Sequence, residues 1–327
     1  MCSRWLVALG LGITLLTGCI DADAPIEPGN DADFVFEVPK GTTANGLGGE
    51  MTALGLVDSE FQWKMLLNDV DASCLKAGRF TLRRSMSLRE VIDTLCGTPM
   101  PDDVPFTVVE GWRIVDIDEA LAAKGWIAPG AYAQIATKKT VDAPFEVPSP
   151  NLEGYLFPET YMVPADRFDP KGFIERQLQT FKTRFLDRRF KEVEDRGLHA
   201  VVVMASMIER EEPTPSQRPI VAGILWKRLD NGWQLGVDAT SHYTLEEWND
   251  RKGLLRNLRD KSDPYNTRIH HGLPPTAIGN PSVSSLDAAL KPQGSPYWFY
   301  LHDKNGVFHG GRDGDEHDRN RRKYNVY

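Results

Sequence analysis

Residues 200–208 are nine consecutive small or apolar side chains, and the run ends on Glu209. A stretch so apolar predicts a helix buried on nearly all sides. Helical periodicity sets Glu209 above Ala205 and Ser206, in line with Val202. The carboxylate then stands at the mouth of an apolar core. Desolvation disfavours the charged form of a carboxylate. A carboxylic acid kept protonated near neutral pH can deliver a proton to a leaving oxygen. Arg210, Glu211 and Glu212 point elsewhere or occupy the last turn, and are expected to be solvated. The same pattern also describes a buried helix that simply surfaces at Glu209. No CxxC or HExxH spacing occurs and no cysteine neighbours a histidine in sequence, so neither a metal, a cofactor nor a thiol nucleophile is expected.

The elements that must position this residue follow from the pattern around it. Upstream, Phe173, Ile174, Gln177, Leu178, Phe181 and Phe185 fall on one helix face. Downstream, Thr214, Pro215 and Gln217 predict a helix start, with Ile220, Val221, Ile224, Leu225 and Leu229 buried and a stop at Asn231-Gly232. The rest is loop-rich, with a strand expected over 297–301 and a partner near Val307-Phe308.

Residues 34–100 read as a smaller α+β unit. Residues 34–38 alternate apolar and polar with period two, as a strand does. Leu47, Met51 and Leu54 are spaced as a helix face weakened by Gly46, Gly48 and Gly49. A second helix is expected over 59–68, a strand over 75–82 with a break at Gly78, and a helix over 88–95 opened by a Ser87/Glu90 capping box. Phe36, Val38, Gly41, Ala53 and Gly55 recur, seventy positions on, as Phe106, Val108, Gly111, Ala123 and Gly125. Strand, glycine turn, helix and glycine exit thus occur twice. The fold class expected is α+β, a small subdomain over 34–100 followed by a larger mixed domain over 101–327.

The chain of 327 residues carries a formal charge of −8. No clustered basic face of the kind that nucleic acid requires is present, so no nucleic-acid partner is expected. At the amino terminus, Arg4 precedes an apolar run that closes on Leu16-Thr17-Gly18-Cys19. This order is that of an export signal over 1–18, with Cys19 as a lipid-attachment site in a lipobox, or of an uncleaved signal anchor. Both place the body on the extracytoplasmic face of a membrane. Residues 21–33 are acidic and contain Pro25, Pro28 and Gly29, so 19–33 reads as a flexible tether. Cys74 and Cys96 remain, either as a disulfide that an exported compartment permits or as two buried thiols.

Several strings in order resemble a known family. They are Ala205-Ser-Met-Ile-Glu209-Arg-Glu; Leu235-Gly-Val-Asp238-Ala-Thr240; Pro264-Tyr265-Asn266-Thr267-Arg268; Gly272-Leu-Pro-Pro275; Ile278-Gly-Asn-Pro281; and, upstream, Leu152-Glu-Gly-Tyr-Leu-Phe-Pro-Glu-Thr-Tyr161. Together they are similar to the endolytic murein transglycosylases of the YceG-like family, over nearly the whole chain after residue 33. Ala239 stands where the family has proline. The resemblance implies that Glu209 cleaves peptidoglycan glycan strands without water. As acid it would protonate the oxygen between N-acetylmuramic acid and N-acetylglucosamine. As base it would take the proton of the muramic 6-hydroxyl, leaving a 1,6-anhydro end. It also implies substrate contacts from Asp238, Thr240, Tyr265 and Asn266, with Glu153 and Tyr155 as further candidates, a LysM-like unit over 34–100, and peptidoglycan synthases as neighbours. A hydrolytic muramidase would need a second carboxylate, Asp238 or Glu153. A non-catalytic cell-wall scaffold is the third reading.

Overall fold

The computed structural model describes residues 21–100 and 103–326. The expected export signal and Cys19 therefore lie outside the described residues. The chain divides into two units, residues 1–102 and 103–327.

In the first unit, strand β1 (Asp33–Val38) is followed by a 3-10 turn and the short helix α1 (Gly48–Ala53). Helix α2 (Glu60–Asp69), capped by Ser59, leads to strand β2 (Gly78–Arg83) and helix α3 (Leu88–Cys96). β1 and β2 pair antiparallel, with Phe36 opposite Phe80 and Phe34 opposite Leu82. The alternation does its expected work, because Phe36 and Val38 are buried while Val35 and Glu37 face out. They join Met51, Trp63, Phe80, Leu82, Val91 and Ile92 in one core. Ser87 and Glu90 close the capping box reciprocally, at 3.2 and 2.8 Å. β2 begins at Gly78 instead of Leu75, because Cys74 joins Cys96 in a disulfide and the chain reaches the strand only after that link. Residues 21–33, expected as a free tether, lie along this unit. Ile26 and Glu27 donate their amides to Met86 and Arg84 carbonyls at 3.1 and 2.8 Å, and Ala22 and Ile26 pack on the core. The acids of this segment add to the hold, Asp23 pairing with Arg89 at 2.6 Å and Glu27 with Arg84 at 3.1 Å.

The second unit opens with strand β3 (Val104–Thr107), helices α4 (Ile114–Ala123) and α5 (Ala131–Lys138), and strand β4 (Thr160–Val163), which pairs antiparallel with β3. Helices α6 (Pro170–Arg184), α7 (Phe190–Arg196), α8 (Leu198–Glu211) and α9 (Arg218–Asp230) follow. Then come α10 (Asp238–Tyr243), α11 (Arg251–Asn257), α12 (Val283–Leu290), the hairpin of β5 (Phe299–His302) and β6 (Phe308–Gly311), and α13 (Gly314–Tyr324). α8 is the centre: Val201, Val202, Val203, Met204, Met207 and Ile208 are all fully buried. Each such side chain contributes about 1.5–3 kcal/mol on leaving water. α9 and α12 both pack against it. α9 starts at Arg218, later than Thr214-Pro215 predicts. Residues 214–217 make a single turn, and Pro219 is the proline that fits the first helical turn. No described helix is long and apolar enough to cross a membrane.

Candidate active site

Glu209 lies in the last turn of α8, where the helix meets the first residue of α9 and the residue capping α12. Its side chain is only 6% exposed. Arg218 donates from Nη2 to Oε1 at 2.9 Å. Ser282 donates to Oε2 twice, from its amide at 2.9 Å and its hydroxyl at 2.6 Å. The expectation of a carboxylate alone at an apolar mouth is thus corrected: a cation and two further donors surround it. These partners are themselves held. Arg218 also donates to the Glu212 carbonyl at 3.0 Å and to Ser282 Oγ at 2.7 Å. Ser282 Oγ caps α12 by accepting the Ser285 amide at 3.3 Å. Buried charges in such a cluster lock one geometry, because removing one partner strands the other.

The approach to Ser282 explains the Ile278-Gly-Asn-Pro281 string. Ile278 donates its amide to Ser206 Oγ on α8 at 3.0 Å. Asn280 Oδ1 accepts the Gly154 and Leu156 amides at 3.0 and 2.9 Å. The backbone of Asn280 exchanges bonds with the turn after β3, accepting from Gly111 at 2.7 Å and donating to the Trp112 carbonyl at 2.8 Å. A Cβ on Gly279 would lie 2.3 Å from the Gly111 carbonyl, so only glycine allows this approach.

A cleft of about 490 Å³ opens beside the carboxylate, lined by Glu110, Phe157, Pro215, Arg218 and Ser282 among others. None of the six substrate-contact candidates lines it. Asp238 forms a two-pronged ion pair with Arg268, and lines a separate cleft of about 810 Å³ with Glu211, Arg228, Trp233 and Tyr300. Thr240 is buried, donating to the Val237 carbonyl at 2.8 Å. Asn266 is wholly buried and donates to the Asn257 and Asp260 carbonyls at 2.7 and 3.1 Å. Tyr265 shares a hydrogen bond with Thr276 at 2.7 Å. Glu153 is buried and bonded to the Ile114 amide and the Tyr243 hydroxyl, each at 3.1 Å. Burial pushes its carboxyl up to about 8. Tyr155 is packed against Phe145 and Phe181, and burial raises its hydroxyl above the ordinary range. Thr240, Asn266 and Glu153 spend their polar groups on neighbouring loops and Tyr155 packs in the core, while Asp238 faces another cleft.

The residues after Glu209 are not solvated as expected. The Arg210 guanidinium lies 3.9 Å from the centre of the Trp248 ring and donates to the Gly111 carbonyl. Glu211 accepts from the Tyr300 hydroxyl at 2.7 Å, and burial raises its carboxyl. Glu212 binds the Thr214 amide and His302 Nε2, both at 2.8 Å. The last turn of α8 runs into the β5–β6 hairpin, so its charged side chains acquire partners. Sequence reasoning missed Glu110, Arg218 and Ser282. Ser282 carries a readable signal, a serine set to cap the helix from 283. Arg218 carries none.

The described residues thus define an α+β protein with a cleft lined by a buried arginine and a helix-capping serine, both of which bind the buried Glu209 behind them. The chain belongs to the YceG-like family, whose model matches residues 36–323. It is similar to the endolytic murein transglycosylase of Bacillus subtilis (strain 168), at 25% identity over 328 residues, covering 92% of this chain and 87% of that one. The endolytic murein transglycosylase of Streptococcus pneumoniae serotype 2 is 21% identical over 332 residues, and the chain spans 60% of its length. A crystal structure of a yceG-like protein from Listeria monocytogenes has the same fold, with a TM-score of 0.56 and 23% identity, covering 88% of this chain and 99% of that one.

Proposed function

We propose that this chain is a lytic transglycosylase that cuts the glycan strands of peptidoglycan internally, with Glu209 as acid and then base. The observation that carries the reading is one buried glutamate bound by Arg218 and Ser282, two residues that line a cleft, in a family whose relatives are named for this activity. Glu209 gives its proton to the oxygen between N-acetylmuramic acid and N-acetylglucosamine. It then accepts the proton of the muramic 6-hydroxyl as that oxygen closes on the anomeric carbon. A positioned acid–base group contributes about 10²–10⁴-fold to such a step. Arg218 and Ser282 keep the carboxylate in one rotamer through both transfers. The hydrolytic alternative loses its two candidate carboxylates, since Asp238 is tied to Arg268 in another cleft and Glu153 is sealed in the core.

The same reading puts the body outside the cytoplasm, attached through Cys19 or an uncleaved signal. The Cys74–Cys96 disulfide supports an oxidising compartment. The first unit is read as a LysM-like module that holds glycan, and peptidoglycan synthases as neighbours that supply nascent strands.

The test is mass spectrometry of purified, uncrosslinked glycan strands incubated with the full chain or with Glu209→Gln. Internal cuts with 1,6-anhydro ends, absent with the variant, are expected. Reducing ends would replace the lytic reading by hydrolysis, and intact strands with folded wild-type protein would favour a scaffold.

A further inference from the structure

We propose that Glu110 is a second catalytic carboxylate of this site, lying against the sugar whose bond is cut and stabilising the positive charge that builds on its anomeric carbon. The proposal rests on the reading of Glu209 as the acid of a glycan-cleaving cleft.

Glu110 lines that cleft together with Arg218 and Ser282, the two residues that hold Glu209. The turn that carries it is locked to the same elements. Gly111 donates its amide to the Asn280 carbonyl at 2.7 Å and accepts from Arg210, the neighbour of Glu209. A Cβ on Gly111 would stand 3.6 Å from Glu209 Cγ. The Glu110 side chain itself is exposed, and among the described residues it makes no hydrogen bond or ion pair. The other charged groups around Glu209 are engaged in hydrogen bonds or ion pairs; Glu110 lines the cleft with only the field of Arg218 opposing its charge. The two carboxylates also feel one another. Burial, then the charge of an ionised Glu209, raises the Glu110 carboxyl above its ordinary range, and the Arg218 cation opposes them; when Glu209 carries the proton, as its acid role requires, its part of the effect falls away and Glu110 ionises more readily.

The chemistry gives such a group a task. When Glu209 hands its proton to the bridging oxygen, the bond from that oxygen to the anomeric carbon breaks and its electron pair leaves with the oxygen. The sugar is left with positive charge shared between the anomeric carbon and its ring oxygen. An ionised Glu110 beside it lowers the energy of that state without bonding to it, as a charge already in place does without reorganising. The muramic 6-oxygen then bonds to the anomeric carbon and its proton returns to Glu209. Glu110 exchanges no proton, and no water, oxidant or cofactor enters.

The experiment compares the full chain with Glu110→Gln, Glu110→Asp and Glu209→Gln on uncrosslinked glycan strands, reading kcat, KM, the pH profile and the chemistry of the new ends. Expected for Glu110→Gln is a fall in kcat of about 10²-fold with KM within about threefold. Wild-type activity should rise with pH as Glu110 ionises, and that rise should be missing from the Gln variant. Glu110→Asp, which keeps the charge, should recover at least about tenfold of the loss. A Gln variant with wild-type rate and pH profile would overturn the role of Glu110 and leave that of Glu209 standing. So would an Asp variant no better than Gln. Reducing ends that disappear with Glu110→Gln would make it a base for water and overturn the charge-stabilising role. Strands left intact by the wild-type chain would overturn the underlying reading, and this proposal with it.

Discussion

The first and second units open with the same device. A strand ending on buried Phe36 and Val38, or on Phe106 and Val108, turns at a left-handed glycine, Gly41 at φ +84° or Gly111 at φ +80°. A helix follows and leaves through Gly55 at φ +66° or Gly125 at φ +73°. The surroundings differ. A Cβ on Gly41 would meet nothing within 4 Å, whereas one on Gly111 would lie 3.4 Å from Arg210 Nε. The residue before the glycine is Lys40 in the first unit and Glu110, lining the cleft, in the second. The backbone motif is therefore neutral towards chemistry. What turns one copy into a wall of the cleft is the packing of α8 and the 278–282 segment against it.

The sharpest way to break this comparison is to remove Glu209, the carboxylate that only the second copy faces. Glu209→Gln should lower strand cleavage by about 10²–10⁴-fold, while Lys40→Glu at the matching turn of the first unit should leave it within about twofold, both read from release of new chain ends. A second contrast is the way each unit is stiffened. The second unit buries a neutral Glu153, whose carboxyl sits near 8 instead of its ordinary 4.5. The folded state then holds a proton that the unfolded state releases, so stability is full below about pH 4.5 and declines as pH rises towards 8. Urea midpoints of the second unit's transition should fall between pH 5 and pH 8, and Glu153→Gln should flatten that slope. The first unit relies on Cys74–Cys96, which closes a loop with a sequence separation of 22. Replacing both cysteines by serine should lower the stability of its transition by about 3 kcal/mol, with the second unit's transition unmoved. Smallest is the paired Gly41→Ala and Gly111→Ala. Each places a Cβ in a left-handed conformation at a cost of about 1–2 kcal/mol, visible in thermal melts. Only Gly111→Ala should also slow cleavage, since relaxing the strained turn shifts the backbone that binds Arg210 and Asn280. Equal activity of the two variants would mean that the second turn is as inert as the first.

What was legible in the chain was local. The Ser87–Glu90 capping box spans three residues, α8 announces itself by its apolar run, and the β5–β6 hairpin joins strands only a few residues apart. These features need no knowledge of what packs against them. Glu209 was legible for the same reason, since it terminates that run. Its partners were not. Ser282 is 73 residues away, and Arg218 reads as an ordinary exposed helix residue until α9 and α12 are seen to meet at α8. Thr240 and Asn266 stand in family-like strings, yet their hydrogen bonds run to backbone carbonyls, a fate that pattern cannot separate from sugar binding. The segment over 21–33 packs on the unit because its acids find partners there, Asp23 on Arg89 and Glu27 on Arg84, while Ala22 and Ile26 rest on the core; composition counts the acids but not their partners.

The clamp at Asn280 also bears on the order in which this molecule becomes active. It joins residues 126 positions apart at Gly154 and 168 apart at Trp112, and Ser282 reaches Glu209 only through it. Contacts so distant in the chain close late, since loop entropy must be overcome before they form. A nascent or partly folded chain can therefore possess α8, with Glu209 on it, and still lack the serine and the turn that surround that glutamate. A wall-cutting activity built this way stays silent until the last third of the chain has docked.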